Sequence, residues 1–219
     1  MTGVAIFDLD KTLTVKGTWT RFVIASSWRR PSFWVNFPVA LGFGAVHVLG
    51  IIDRDGFKER VIRLFLAGRS RAELEERANT FADAEVARGL RKNARKAVEA
   101  HQSKGDKVVI ASAAVDLIAE KIAERLGINE TLSTLMTWGS DDRLLSQLDG
   151  VSCYGSEKLQ RIKGLLADND LAGPVTIYSD HVSDLEALLW ADKGVAVNPS
   201  DKLKTAAAHH GLAIEDWDA

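Results

Sequence analysis

Phe7-Asp8-Leu9-Asp10-Lys11-Thr12-Leu13-Thr14 follows directly on the apolar run Val4-Ala5-Ile6-Phe7, and this junction decides the fold. Four consecutive apolar residues of this kind read as a buried strand. Two aspartates one residue apart then fall at the strand's carboxyl end, where open α/β sheets hold their ligands. Carboxylates so close repel unless a cation neutralises them, so the pair points to a divalent metal and a charged substrate. An ordinary strand running into an acidic turn would look the same in isolation, and later segments separate the two readings.

Lys107-Val108-Val109-Ile110-Ala111-Ser112-Ala113-Ala114 is a second buried strand ending in a hydroxyl and small residues. Small residues let a phosphate approach the backbone amides that open the following helix. Gly155-Ser156-Glu157-Lys158 places a lysine in the first turn of a helix expected over 157–167, where the helix dipole opposes it unless an anion meets it. Val175-Thr176-Ile177-Tyr178-Ser179-Asp180 ends a third strand in an aspartate, and Asp184 follows within one helical turn.

Taken in this order, the four segments resemble the haloacid dehalogenase (HAD) superfamily of phosphohydrolases over essentially the whole chain. Asp8, Asp10 and Thr12 match its DxDx[TV] signature, Ser112 the second motif, Lys158 the third, and Asp180 with Asp184 the fourth. The resemblance implies that Asp8 is the nucleophile forming an aspartyl-phosphate and Asp10 the general acid and base. It implies phosphate binding by Thr12, Ser112, Ala113 and Lys158. Mg2+ would be held by Asp8, the backbone carbonyl of Asp10, and Asp180, with Asp184 supporting the site from behind. Asp10-Lys11-Thr12 also looks like the phosphorylation site of cation-pumping ATPases, but 219 residues cannot supply their multispan membrane region.

The fold implied is α/β, a Rossmann-like three-layer core with a parallel sheet and an all-helical C1 cap inserted after the first strand. Core is expected at 1–13 and 84–219, cap at 14–83. Strands alternating with helices favour a parallel sheet with right-handed crossovers. A helix is expected over 84–104, another over 115–126 closed by Gly127, and an antiparallel excursion over 134–154 turning at Asp141-Asp142. A net charge of −2 gives no reason to expect nucleic-acid binding. The single cysteine, Cys153, excludes an internal disulfide and suits a reducing cytoplasm. No cleavable leader is expected before the first strand.

The insertion holds an unusual segment: residues 33–52 contain no charged side chain. Its length matches a membrane span, but one crossing would put Asp8 and Lys158 on opposite sides of the bilayer. The alternatives are ordinary cap core or a surface-lying helical pair broken near Pro38 or Gly42-Phe43-Gly44. Trp28, Arg29, Arg30, Trp34 and Phe37 at its start suit the headgroup layer of a membrane. This segment, the run from Cys153 to Lys158, and Tyr178-Ser179-Asp180 resemble bacterial subfamily IB hydrolases, the phosphatidylglycerophosphatase C group among them. That resemblance implies a phosphorylated lipid headgroup as substrate and peripheral contact with the inner face of the cytoplasmic membrane. The alternative partner is a soluble phosphorylated metabolite such as phosphoserine. Gly17 stands where phosphoserine phosphatases place a glutamate for the substrate amine, which counts against an amino-acid substrate. A non-catalytic phosphate-binding protein is the weakest reading, because no expected catalytic position is missing.

Overall fold

The computed structural model describes residues 2–219. Its frame is a seven-stranded sheet in the order β4-β3-β2-β1-β5-β6-β7. The strands are β1 (Val4–Phe7), β2 (Lys107–Val115), β3 (Glu130–Trp138), β4 (Leu144–Asp149), β5 (Val175–Ser179), β6 (Lys193–Val197) and β7 (Ala213–Glu215). All pairings are parallel except β3 with β4. The Asp141-Asp142 turn makes that one reversal, with Asp142 in the left-handed region at φ 58°.

Strands covered on both faces read as continuous apolar runs, and here the two faces separate cleanly. Ala5, Phe7, Val108 and Ile110 face one core layer, built with α5 (Ala94–Ser103) and α6 (Asp116–Arg125). Val4, Ile6, Val109 and Ala111 face the other, against α7 (Ser156–Asp168), α8 (Leu185–Trp190) and α9 (Asp201–His210). Gly127, at φ 68°, closes the chain after α6.

Between β1 and α5 lie four helices: α1 (Thr18–Ser27), α2 (Pro31–Val48), α3 (Arg54–Phe65) and α4 (Arg71–Arg88). Asp53 and Ser70 cap α3 and α4 by accepting the N–H groups of Gly56 and Glu73. The single helix expected over 84–104 is two helices instead. The chain between α4 and α5 extends because Val15 N–H donates to the Gly89 carbonyl and Arg91 N–H to the Leu13 carbonyl, at 2.8 and 2.9 Å. This antiparallel crossing closes the two ends of the helical insertion on each other, a tertiary demand that helical periodicity does not carry.

The expected break in the apolar segment is also absent, for α2 runs unbroken through Pro38 and Gly42-Phe43-Gly44. Pro38 removes one N–H donor and crowds the Trp34 carbonyl, but the helix is fastened to α3 on either side of it, His47 stacking on Phe57 at 5.0 Å on the far side. Phe33 packs on Phe65 at 5.3 Å between ring centroids, and Asn36 Nδ2 donates to the Leu64 carbonyl at 2.7 Å. Phe33 is the one buried residue of α2; Trp34, Val35, Leu41 and Val48 are 60–85% exposed. No helix among the described residues is long and apolar enough to cross a membrane.

Candidate active site

Every motif residue lies at the carboxyl edge of the sheet. Asp8 leaves β1, and the chain then winds through one wide turn, Leu9–Leu13, in which Lys11 takes the left-handed conformation at φ 65°. That strained turn is held from outside. The Arg91 guanidinium donates to the Lys11 carbonyl through Nε and Nη2 at 2.8 and 2.7 Å, and pairs with Asp218.

Lys158, third residue of α7, reaches across to Asp8 Oδ1 at 2.9 Å and Asp184 Oδ2 at 2.6 Å. The lysine that the helix dipole disfavours thus meets two carboxylates. Gly155 opens this helix at φ 58°, ψ −130°, a conformation closed to other residues. Ser179 Oγ donates to Asp184 Oδ2 at 2.7 Å. Asp180, at the end of β5, is joined to Asp8 by Thr12, whose Oγ1 lies 3.2 Å from Asp8 Oδ2 and 3.3 Å from Asp180 Oδ1. The same hydroxyl accepts the Asp180 N–H at 3.0 Å. Thr12, expected on phosphate, therefore has its hydroxyl engaged by the two carboxylates. Beyond the last β1–β2 pair, β2 bulges between Ala111 and Val115 and turns Ser112 and Ala113 into the cavity. Ser112 Oγ accepts the Ala114 N–H at 3.2 Å.

Asp10 is oriented from the insertion. Its Oδ1 accepts the Thr18 N–H at 2.8 Å and the Thr18 hydroxyl at 2.7 Å, at the positive end of α1. Burial raises its carboxyl above the ordinary range, with the Thr18 hydrogen bonds pulling the other way. Burial likewise pushes Asp8 up to about 7, Lys158 opposing and Asp184 and Asp180 adding to it. Burial also disfavours the Lys158 ammonium, but Asp184 and Asp8 overcome this and hold it above the usual lysine range. Asp180 is raised by burial, partly offset by His181 and Thr12.

Burial is the first cause of all three raised carboxyls, and a cation placed among them would favour their ionised forms. No group of three or more His, Cys, Asp or Glu side chains stands in a metal-holding arrangement among the described residues. Asp8 and Asp180, bridged through Thr12, form a two-carboxylate pair instead. Hard oxygens in that number suit Mg2+, which is held by one or two carboxylates and keeps waters and substrate phosphate for the rest. The donor set fits the ion.

The cavity over these residues holds about 230 Å³, and its lining includes Arg54, Tyr154 and His181, which were not among the expected site residues. Arg54 lies over the Tyr154 ring at 3.8 Å from its centroid, and His181 stands beside them. Nearby, Lys58 is buried and donates to the Ala113 carbonyl at 2.8 Å, to Ser152 Oγ at 2.9 Å and to Thr134 Oγ1 at 3.4 Å. With no carboxylate bonded to it, burial lowers its pKa to about 8. The local signal was only that Arg54 is the first cation after the uncharged segment; nothing distinguishes Lys58 from Arg60 or Arg63 on the same helix. The residues proposed for the headgroup layer lie apart from this cavity. Trp28 and Trp34 are exposed, Phe37 partly so; Arg29 stacks on Trp28, and Arg30 pairs with Glu73 at 3.1 Å. Cys153 is buried, and burial pushes its thiol up to about 11, which keeps it protonated and inert.

The family model for haloacid dehalogenase-like hydrolases matches residues 5–189. Protein CicA of Caulobacter vibrioides is 31% identical over 191 residues, covering 85% of this chain and 82% of that protein. A histidinol-phosphatase of Neisseria meningitidis is 26% identical over 229 residues, covering 98% of each. Among solved structures, a Bordetella pertussis protein of unknown function superposes with a TM-score of 0.89 at 23% identity, over 99% of both chains. A substrate-bound phosphoserine phosphatase gives 0.69 at 15% identity, over 100% of this chain and 95% of that one. These two likenesses show a shared fold.

Proposed function

The chain belongs to the haloacid dehalogenase-like hydrolases and is a phosphatase enzyme, and from that premise we propose that it cleaves phosphomonoesters through an aspartyl-phosphate on Asp8. One observation carries the reading: Lys158 lies between Asp8 and Asp184 while Thr12 joins Asp8 to Asp180. Phosphoryl transfer asks mainly for positioning and charge neutralisation. An Asp8 oxygen attacks phosphorus as the ester P–O bond breaks, and Asp10 gives its proton to the departing alcohol. Water then attacks the phosphoryl group, Asp10 takes the water's proton, and the P–O bond to Asp8 breaks to release phosphate. Asp10 Oδ1 is occupied by both Thr18 donors, which leaves Oδ2 to carry that proton. Lys158 and the bulged amides at Ser112 and Ala113 steady the phosphoryl oxygens. Asp8, Asp180 and the Asp10 carbonyl would hold Mg2+, which when bound would supply positive charge that keeps Asp8 ionised and offsets charge on the phosphoryl group. Helices α1–α4 act as the cap.

For the substrate we favour a phosphorylated membrane lipid, with phosphatidylglycerophosphate converted to phosphatidylglycerol at the inner face of the membrane. The support is the outward face of α2, where Trp34, Val35, Leu41 and Val48 are exposed, since apolar side chains gathered on a surface mark interaction sites. The second reading, a soluble metabolite ester, draws on the histidinol-phosphatase and phosphoserine phosphatase likenesses. Gly17 lines the cavity beside Asp10 and offers no carboxylate for a substrate amine. Phosphate release with Mg2+ tests both. Phosphatidylglycerophosphate in micelles should outpace phosphoserine, histidinol phosphate and aryl phosphates. Equal turnover of the soluble esters would remove the lipid and leave the phosphatase.

A further inference from the structure

Beside the polar cavity lies a second one of about 340 Å³, enclosed by α1, α2 and α3 and lined almost wholly by carbon. Trp19, Phe57, Gly44 and Val48 line one end, where His47 stacks on Phe57, and Phe33 and Phe65 pack together at the other. The two cavities share helices. Gly17 and Arg54 line the polar one, and two and three residues further along the chain Trp19 and Phe57 line the apolar one. Along its α2 side, at Leu41 and Val48, the groove gives onto the exposed apolar side of that helix. A molecule reaching from one cavity to the other would carry a phosphate at its head and hydrocarbon behind.

We propose that this groove is the binding site for the alkyl or acyl chain of a substrate whose phosphate is held at Asp8 and Lys158. The proposal rests on the phosphatase reading and deepens it. It places chain recognition in the protein itself, whether the substrate comes from a bilayer or from solution. Small residues keep the groove open: a Cβ built on Gly44 meets nothing within 4 Å, so a larger side chain there fills space without striking backbone. The same holds at Gly42, which does not line the groove.

The test is calorimetric binding of n-alkylphosphonates from ethyl to octyl, below micelle-forming concentrations and with Mg2+, beside hydrolysis of the matching alkyl phosphates. Burial of each methylene tightens binding about fourfold, so affinity and KM should improve with chain length until the groove is full. Gly44→Phe should collapse the octyl-to-ethyl ratio, and Gly42→Phe should keep it. An active wild type with a flat series overturns the groove and spares the phosphatase. A steep series equally steep in Gly44→Phe places the chain elsewhere. A ligand-independent dimer dispersed by Gly44→Phe seats a second copy here instead, and also overturns the proposal. If no phosphonate binds and no ester is cleaved, the phosphatase reading falls and takes this one with it. Should Gly44→Phe fail to fold, the wild-type series alone decides.

Discussion

The β1 strand and helix α2 are both uninterrupted apolar stretches, and the molecule treats them oppositely. Val4, Ala5, Ile6 and Phe7 are at most 1% exposed, closed between two helical layers. In α2 only Phe33 is buried, while Val35 and Val48 are 74% and 85% exposed. Apolar composition alone thus does not decide whether a segment is buried. A strand with a neighbour on each side has its partners within the chain. A helix with one flank on α3 and nothing charged on the other keeps that other flank exposed.

The sharpest way to break this contrast is at the buried end. Asp8→Asn should lower turnover by at least about 10⁴-fold and abolish any trapped phosphoenzyme, because no nucleophile remains. Rapid-quench labelling with substrate reads both. Asp10→Asn should slow both half-reactions by about 10²–10⁴-fold while the phosphoenzyme still forms. Near-native Asp8→Asn beside a dead Asp10→Asn would reverse the assignment of nucleophile.

Stability sharpens the contrast next. Phe22, fully buried and edge-on to Phe81 at 5.6 Å, should cost about 3–5 kcal/mol as Phe22→Ala in urea melts. Lys58 gives a smaller effect with a definite sign. Its ammonium is disfavoured by burial in the folded protein, so from about pH 8 to 10.5 the unfolded chain binds more protons. Stability gained from this group therefore rises across that window, by up to about 3 kcal/mol relative to Lys58→Met. Urea midpoints of the two proteins at pH 7 and pH 10 read the difference. Last, Leu49→Ser, in a side chain 74% exposed, should move the melt by no more than about 0.5 kcal/mol. Together with Trp34→Ser it should nonetheless release the protein from anionic vesicles in a flotation assay. A large loss of stability would make α2 ordinary packing after all.

What the sequence revealed divides along the same line. The parallel strands at β1, β2 and β5 were legible because burial on both faces writes itself as a continuous apolar run. The Asp141-Asp142 turn was legible from its own residues. The break between α4 and α5 was not, since its cause is Leu13 and Val15, more than seventy residues earlier. The sequence leaves the course of α2 open between a broken helical pair and cap core, because Pro38 ordinarily interrupts a helix and the run itself does not show the packing on α3 that carries the helix past it. Within the site, the strand-end acids and Lys158 were readable as motif residues. Arg54 and Lys58 were not, because α3 brings them there by docking on the core, nor was Tyr154, which reaches the cavity from the loop before α7.

Thr18 has a consequence for how such proteins can be rebuilt. The residue that sets Asp10 belongs to the first turn of α1, not to the sheet. The helical insertion is accordingly no detachable accessory that a recombination event could exchange for another specificity at no expense to rate. A transplanted insertion must bring its own hydroxyl and amide to the same spot, or the hybrid loses both hydrogen bonds that orient Asp10. Heredity in this fold is linked across the seam: whatever lineage alters the recognising helices must carry the residue at position 18 along with them.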